Sequence, residues 1–298
     1  MPENYRIIKN NDSEWGALYT PINPKNEKKP GLRVVLFVSY DSGNLTLKDL
    51  GRFETLFPDK LNIVGVATDD PIDPKAKISI KKRIWSLFDA DKHQAIMQRV
   101  IDESMKIGIP CYTGAVKTDY FRNLYREWNP DVLIMNCFGQ WLDSFLFQFP
   151  RMGSYNFHPS NLPKKIGAGT QPFHETIRNR MTSSPMVIHG VTEIIDMGPI
   201  IGVSPTVNIC LHDGSYPDSL VTLLDKITSV GGWMGVELIH AIIRRERMEM
   251  AGMIDPIDFG KIMPESVKRI LANPAVNDLN EKYEIPLHPL ISNHCLHE

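Results

Sequence analysis

Between Leu32 and Asn136 the chain alternates short, β-branched apolar runs with stretches whose apolar residues fall at helical spacing. This alternation constrains the fold more than any other feature. Leu32-Arg-Val-Val-Leu-Phe-Val38, Leu61 to Ala67, Ile109 to Tyr112 and Asp131 to Asn136 have the length and branching of buried strands. Between them, residues 45–56, 78–107 and 117–128 read as helices. Strands alternating with helices imply right-handed crossovers and a mainly parallel sheet flanked by helices, an α/β fold. In such a sheet ligands bind beyond the carboxyl ends of the strands. Asp41 to Asn44 and Asn136 to Gln140 fall at such ends.

The second half has a different rhythm. Ser154-Tyr-Asn-Phe-His158 is a short strand stopped by Pro159, and residues 171–181 are helical. Met186 to Glu193 and Ile200 to Asn208 predict two strands joined by a turn, an antiparallel addition to the sheet. Residues 216–246 predict a long amphipathic helix with Gly231-Gly232 as a break. Residues 1–30 are rich in Asn, Lys and Pro and show no sustained period, so they read as an extension onto which Trp15, Leu18 and Tyr19 can pack. Residues 247–298 read as a tail with one helix near 264–272, which leaves 31–246 as the main domain.

With 33 Lys+Arg against 35 Asp+Glu, the chain has no overall field to attract a polyanion, which favours a small-molecule partner over a nucleic acid. The four cysteines, at 111, 137, 210 and 295, are scattered without a CxxC pair, which fits a reduced, cytoplasmic protein. The first residues lack the apolar stretch of a signal peptide, and no apolar run is long enough to span a bilayer. His288, His294, Cys295 and His297 gather in the tail without a standard zinc spacing, so no metal is expected. Lys81-Lys-Arg83 reads as a solvated helix face. Nothing in the pattern decides whether the chain self-associates.

The chemistry concentrates in Asn156-Phe-His-Pro-Ser-Asn-Leu-Pro163 and Ile195-Asp-Met-Gly-Pro-Ile-Ile201. Two residues apart on a strand, Asn156 and His158 project to one face. Asp196 lies in a turn that Gly198 and Pro199 shape. If that turn reaches the strand, an amide, an imidazole and a carboxylate meet. These groups suit acyl transfer to an amine: Asn156 and protonated His158 can donate to an oxyanion, and Asp196 can hold or accept a proton. No covalent nucleophile is needed, and no G-x-S-x-G elbow occurs.

Several ordered pieces extend this pattern: Asn-Pro-Asp131, Phe138-Gly139, Pro150-x-x-Gly153, Asn-x-His-Pro-Ser160, Leu162-Pro163 and Asp196-x-Gly-Pro-Ile200. Over roughly Leu32 to Leu238 the chain resembles the folate-dependent formyltransferases typified by the glycinamide ribonucleotide and methionyl-tRNA enzymes, and the related formyltetrahydrofolate hydrolases. The resemblance implies a Rossmann-like formyltransferase fold, catalysis by Asn156, His158 and Asp196, and N10-formyltetrahydrofolate as co-substrate. It also implies folate contacts from Cys137, Phe138, Gly139, Gln140, Trp141 and Leu142, and from His189, Val191, Ile194 and Ile195. His189 reads equally as a residue bonded within the sheet. Two stretches depart from the family pattern: Pro185-Met-Val-Ile-His189 replaces Gly-x-Thr-x-His, and the loop after Pro163 reads Lys-Lys-Ile-Gly-Ala-Gly-Thr-Gln-Pro172.

By the same resemblance, Ser42, Gly43 and Asn44 lie in the turn that binds substrate phosphate in the ribonucleotide enzyme. Tyr40 and Asp41 depart from that turn, so an ordinary helix start is the competing reading. The expected acceptor is a primary amine on a small molecule, such as a nucleotide-linked amino sugar or a ribonucleotide amine. Methionyl-tRNA is disfavoured, because its enzyme resembles a two-domain protein with a β-barrel that residues 247–298 lack the alternation to build. A hydrolase that uses water as acceptor, suggested by Ile-Gly-Ala…Pro-Phe-His174, is the alternative. A non-catalytic folate-binding relative is the third reading.

Overall fold

A computed structural model describes residues 5–25, 30–74, 88–169, 172–276 and 283–293. The predicted positions 78–87, with Lys81 to Arg83, and the tail residues His294, Cys295 and His297 lie outside them. The strands are β1 (Tyr5–Lys9), β2 (Ala17–Pro21), β3 (Leu32–Val38), β4 (Leu61–Thr68), β5 (Cys111–Thr113), β6 (Val132–Asn136), β7 (Ser154–His158), β8 (Ser183–Ser184), β9 (Val187–Gly190), β10 (Ile200–Val203) and β11 (Val207–Asn208). The helices are α1 (Tyr40–Leu56), α2 (Ala90–Lys106), α3 (Asp119–Trp128), α4 (Ser144–Gln148), α5 (Pro172–Arg178), α6 (Leu220–Thr228), α7 (Gly231–Arg247), α8 (Phe259–Ile262), α9 (Glu265–Ala272) and α10 (Pro289–Ser292).

Nine strands form one sheet in the order β1-β2-β5-β4-β3-β6-β7-β9-β10. The neighbours from β5 to β7 pair in parallel, and each flank adds antiparallel strands. The order reverses between β3 and β6, so the loops after Val38 and Asn136 open the crevice where ligands of α/β sheets bind. The predicted parallel sheet with an antiparallel addition is therefore present. The N-terminal segment adds to it: residues 5–21 form a hairpin that pairs with β5.

Strand alternation assigns each side chain to a face. Val34, Leu36 and Val38 of β3 enter the larger core, under α1, α2, α6 and α7. Val35 and Phe37 enter the smaller core, under α3 and α4. On β7, Tyr155 and Phe157 belong to the larger core, so Asn156 and His158 point to the opposite face. The long predicted helix is two helices, broken between Thr228 and Gly231. Small residues let α7 approach α1: a Cβ on Gly235 would touch Thr46 at 3.5 Å, and one on Gly232 would strike Asp49 at 2.2 Å.

The tail is strapped back onto α7. Glu237 Oε2 lies 3.3 Å from His288 Nε2 and 3.6 Å from His240 Nδ1. His288 Nδ1 accepts the Leu290 N–H at 3.2 Å, and its ring lies 4.2 Å from that of Trp233. Burial would raise the Glu237 pKa, but the two imidazoles beside it hold it down at about 2. A carboxyl moved that far below its ordinary value contributes about 3 kcal/mol above the unfolded pKa, lost as pH falls through the folded one. Glu237→Gln is therefore expected to be less stable at pH 7. Its stability should also change less than the parent's from about pH 4.5 down to about pH 2. Chemical denaturation at a series of pH values measures both; parallel curves for the two proteins would refute the expectation.

Candidate active site

Pairing of β7 with β9 sets Asn156 opposite His189 and His158 opposite Val187. Cross-strand partners share a face, so Asn156 and His189 stand side by side, with Asn156 Nδ2 and His189 Nε2 3.1 Å apart. After β9 the chain turns back: Gly190 N–H donates to Pro199 O and Val191 N–H to Ser154 O. This closes residues 191–199 into a loop that returns Asp196 to the same face. Asp196 adopts left-handed backbone geometry (φ 54°), a conformation in which Asp is enriched. Its Oδ1 lies 3.3 Å from His189 Nε2 and 3.5 Å from Asn156 Nδ2. Its Oδ2 lies 3.7 Å from His158 Nε2 and accepts the Gly169 N–H at 2.7 Å. The structure therefore brings Asn156, His158, His189 and Asp196 together.

The electrostatics follow from this geometry. Burial lowers the His158 pKa; Asp196 and the Gly167 carbonyl oppose that shift, and His189 adds to it. The neutral imidazole is thus favoured near neutral pH, which corrects the expectation that a protonated ring donates. The neutral ring still donates, because its Nε2 lies 2.8 Å from Gly167 O, and a carbonyl only accepts. Burial would raise the Asp196 pKa, but the bond from His189 and the charges of both imidazoles hold it below the usual carboxylate range. Asp196 is therefore an anion that steadies positive charge, and a poor resting proton acceptor. His189 Nδ1 bonds Gly190 O at 2.9 Å, which fixes the ring. The sheet-bonded and site readings of His189 both describe it.

The two loops matched to folate contacts approach the same face. Phe138 and Val191 both pack against the smaller core, and Leu142 belongs to it. Gly139 N–H and Gln140 Nε2 donate to buried Asp69, and Gln140 also bonds Gly114 O and the Val116 N–H. Gln140 thus braces the loop from within. Cys137 is held in left-handed geometry (φ 55°), and burial raises its thiol pKa to about 12. Trp141, Ile194, Ile195 and Met197 are exposed apolar side chains on these loops.

Ser42, Gly43 and Asn44 form the first turn of α1 and are buried. Ser42 Oγ donates to Cys137 Sγ at 2.8 Å, and Gly43 N–H donates to Ser39 O. A Cβ at residue 43 would lie 2.9 Å from Asn136 O, so this glycine admits α1 against the sheet. Ser42 Oγ and the Gly43 N–H are engaged within the chain, whereas Asn44 Oδ1 is buried with no hydrogen-bond partner among the described residues. The Tyr40 hydroxyl bonds Asp225 and Asp41 pairs with Arg99. Residues to which the sequence assigned no site role also border the centre, Gly167 and Gly169 directly and Glu175 through Gly167, while Asp69 braces the folate-matched loop at Gly139 and Gln140. Gly167 and Gly169 act through backbone groups, for which residue type carries little signal.

Among the described residues, no group of three or more His, Cys, Asp or Glu is placed to hold a metal, and no helix is long and apolar enough to cross a membrane. Residues 86–222 match the family model described as formyl transferase. The methionyl-tRNA formyltransferase of Bacteroides fragilis is 26% identical over 238 residues, which cover 77% of this chain and 64% of that protein. That of Thermotoga neapolitana is 30% identical over 141 residues, 47% of this chain and 40% of its own. The chain thus spans less than two thirds of the length of these curated relatives. Among solved structures, glycinamide ribonucleotide transformylase 1 from Symbiobacterium toebii has the same fold, with a TM-score of 0.51 at 16% identity over 72% of this chain and 88% of that one.

Proposed function

The chain belongs to the folate-dependent formyltransferase family, and from that premise we propose that it transfers a formyl group from N10-formyltetrahydrofolate to a primary amine of a small molecule. The observation that carries this reading is the convergence of Asn156, His158 and Asp196 on one face. When the amine attacks the formyl carbon, negative charge develops on the formyl oxygen. Asn156 Nδ2–H is one donor for it, and His158 Nε2–H, which rests on Gly167 O in the free site, can be shared with the formyl oxygen; a preorganised donor in a buried site stabilises such charge strongly. The attacking nitrogen becomes positive as its bond forms. Asp196, held as an anion, offsets that charge until the nitrogen loses a proton; collapse of the intermediate then breaks the bond between the formyl carbon and N10, and the proton goes to the departing N10.

The exposed side chains of Trp141, Ile194, Ile195 and Met197 offer an apolar surface that fits the flat rings of a folate. His189, fixed through Nδ1 on Gly190 O, steadies its neighbours through Nε2, which accepts from Asn156 Nδ2 when the ring is neutral and donates to Asp196 Oδ1 when it is protonated. The near-balanced charge favours a small acceptor over a polyanion. A second reading is an aminoacyl-tRNA acceptor, favoured by the names of the curated relatives.

Incubation with N10-formyltetrahydrofolate alone, and then with panels of small amines and with charged tRNA, tests these readings. Loss of the formyl-folate is expected to depend on a small amine, with an N-formyl product. Rapid formate release without any amine would replace the transferase reading by a hydrolase. Formylation of tRNA alone would overturn the small acceptor. Binding without turnover under any condition would leave a folate-binding relative.

A further inference from the structure

The chain leaves β7 through a tight turn before reaching α5. Ile166 N–H donates to Asn161 O, Lys165 N–H donates to Leu162 O, and Lys165 is left-handed (φ 57°). Gly167 follows at φ 74°, where a Cβ would lie 2.7 Å from Pro172 O and 2.8 Å from Ser160 Cβ, so glycine alone fits. Its carbonyl accepts from His158 Nε2 at 2.8 Å, and its N–H donates to Glu175 Oε2 at 2.6 Å. Two residues on, Gly169 N–H donates to Asp196 Oδ2. One short backbone segment thus contacts both groups assigned to the chemistry, and the Glu175 carboxylate ties that segment to α5.

We infer that Glu175 is a positioning residue for formyl transfer: by holding the Gly167 N–H it seats the Gly167 carbonyl on His158 and Gly169 on Asp196. The inference rests on the reading that His158 and Asp196 perform the reaction. A carbonyl accepts and never donates, so Gly167 O selects the imidazole tautomer with its proton on Nε2. That proton rests on Gly167 O in the free site and can be shared with the formyl oxygen; without the seat the ring is free to move it to Nδ1, and no N–H is left on the side of Asp196. A carboxylate makes the stronger, charge-assisted kind of bond to an N–H, which suits a residue that must fix a glycine loop. Arg178, 3.4 Å from Glu175 Oε1, leaves Oε2 for this contact.

The test reads His158 directly, in full-length protein labelled with ¹⁵N-histidine and without folate. The parent is expected to show the Nε2–H tautomer. Glu175→Ala is expected to shift His158 toward a mixture of tautomers and to a lower titration point. The Gly167 contact and the Asp196 charge both raise that titration point, while His189 lowers it. Glu175→Gln, whose amide oxygen accepts the same N–H, should restore both signals. Formyl transfer should show kcat lower by on the order of tenfold in Glu175→Ala, with KM for the formyl-folate little changed. If Glu175→Ala fails to fold, Glu175→Asp, one methylene too short, carries the same expectation. An unchanged tautomer and titration in a folded Glu175→Ala or Glu175→Asp protein would overturn the inference. If the tautomer shifts as expected in a protein that transfers no formyl group, the positioning role stands and the functional reading falls.

Discussion

Asp196→Asn is expected to lower kcat for formyl transfer by about 10³-fold while the affinity for the formyl-folate changes little. Asn is the informative replacement. It keeps the shape of the side chain, it retains an oxygen for the Gly169 N–H, and it tolerates the left-handed backbone at residue 196 as well as Asp does. The variant therefore removes the negative charge and leaves the turn. His158 loses the anion that opposes the effect of its burial, so its titration should move to lower pH. In the parent, the His158 ring should titrate below the ordinary imidazole value of about 6.5, and in Asp196→Asn lower still. Magnetic-resonance titration of the ring, with turnover and folate binding measured separately, checks these statements. Unchanged turnover would remove Asp196 from the reaction.

The parts of this centre that were legible in the sequence are those set by strand period. Asn156 and His158 had to share a face once Ser154 to His158 was read as a strand, and the central strands follow equally from β-branched runs. Asp196 was legible from its Gly-Pro turn and the family pattern. The N-terminal hairpin was not, because Tyr5 to Lys9 is largely exposed at a sheet edge and has no apolar period to display. The loop bonds were hidden for a different reason. Gly167 and Gly169 contribute a carbonyl and an N–H, which every residue type possesses, so only the folded path reveals them. In the turn at Ser42 to Asn44, whose residue types suit a phosphate, the fold engages Ser42 Oγ with Cys137 and the Gly43 N–H with Ser39 O and leaves Asn44 Oδ1 buried without a hydrogen-bond partner among the described residues, which no residue type announces.

Gly198→Ala is expected to be the most disruptive small substitution near the centre. A Cβ at residue 198 would lie 1.7 Å from Gly190 O and 2.7 Å from the carbon of that carbonyl. Both atoms are backbone. Gly190 is fixed at the end of β9, where its N–H donates to Pro199 O and its carbonyl bonds His189 Nδ1. The obstacle therefore cannot swing aside, and the loop from 191 to 199 must lift away from the strand. That movement carries off Asp196, two residues earlier, and breaks its contacts with Asn156, His158 and His189 together. A displacement of about 1 Å at a catalytic group costs on the order of 10²-fold in rate. Losing several buried contacts at once should also lower stability by about 2–3 kcal/mol. Gly202 provides the comparison: its Cβ would meet the Phe259 side chain at 2.3 Å, with backbone approached no closer than 3.1 Å, at Ile257 O. The ring has torsions to give, and β10 lies outside the Asp196 turn. Gly202→Ala should therefore lose stability and keep most of its kcat, whereas Gly198→Ala should lose both. Thermal unfolding together with kcat for the two variants separates them, and a Gly198→Ala protein with parental turnover would show that the turn does not hold Asp196 in place.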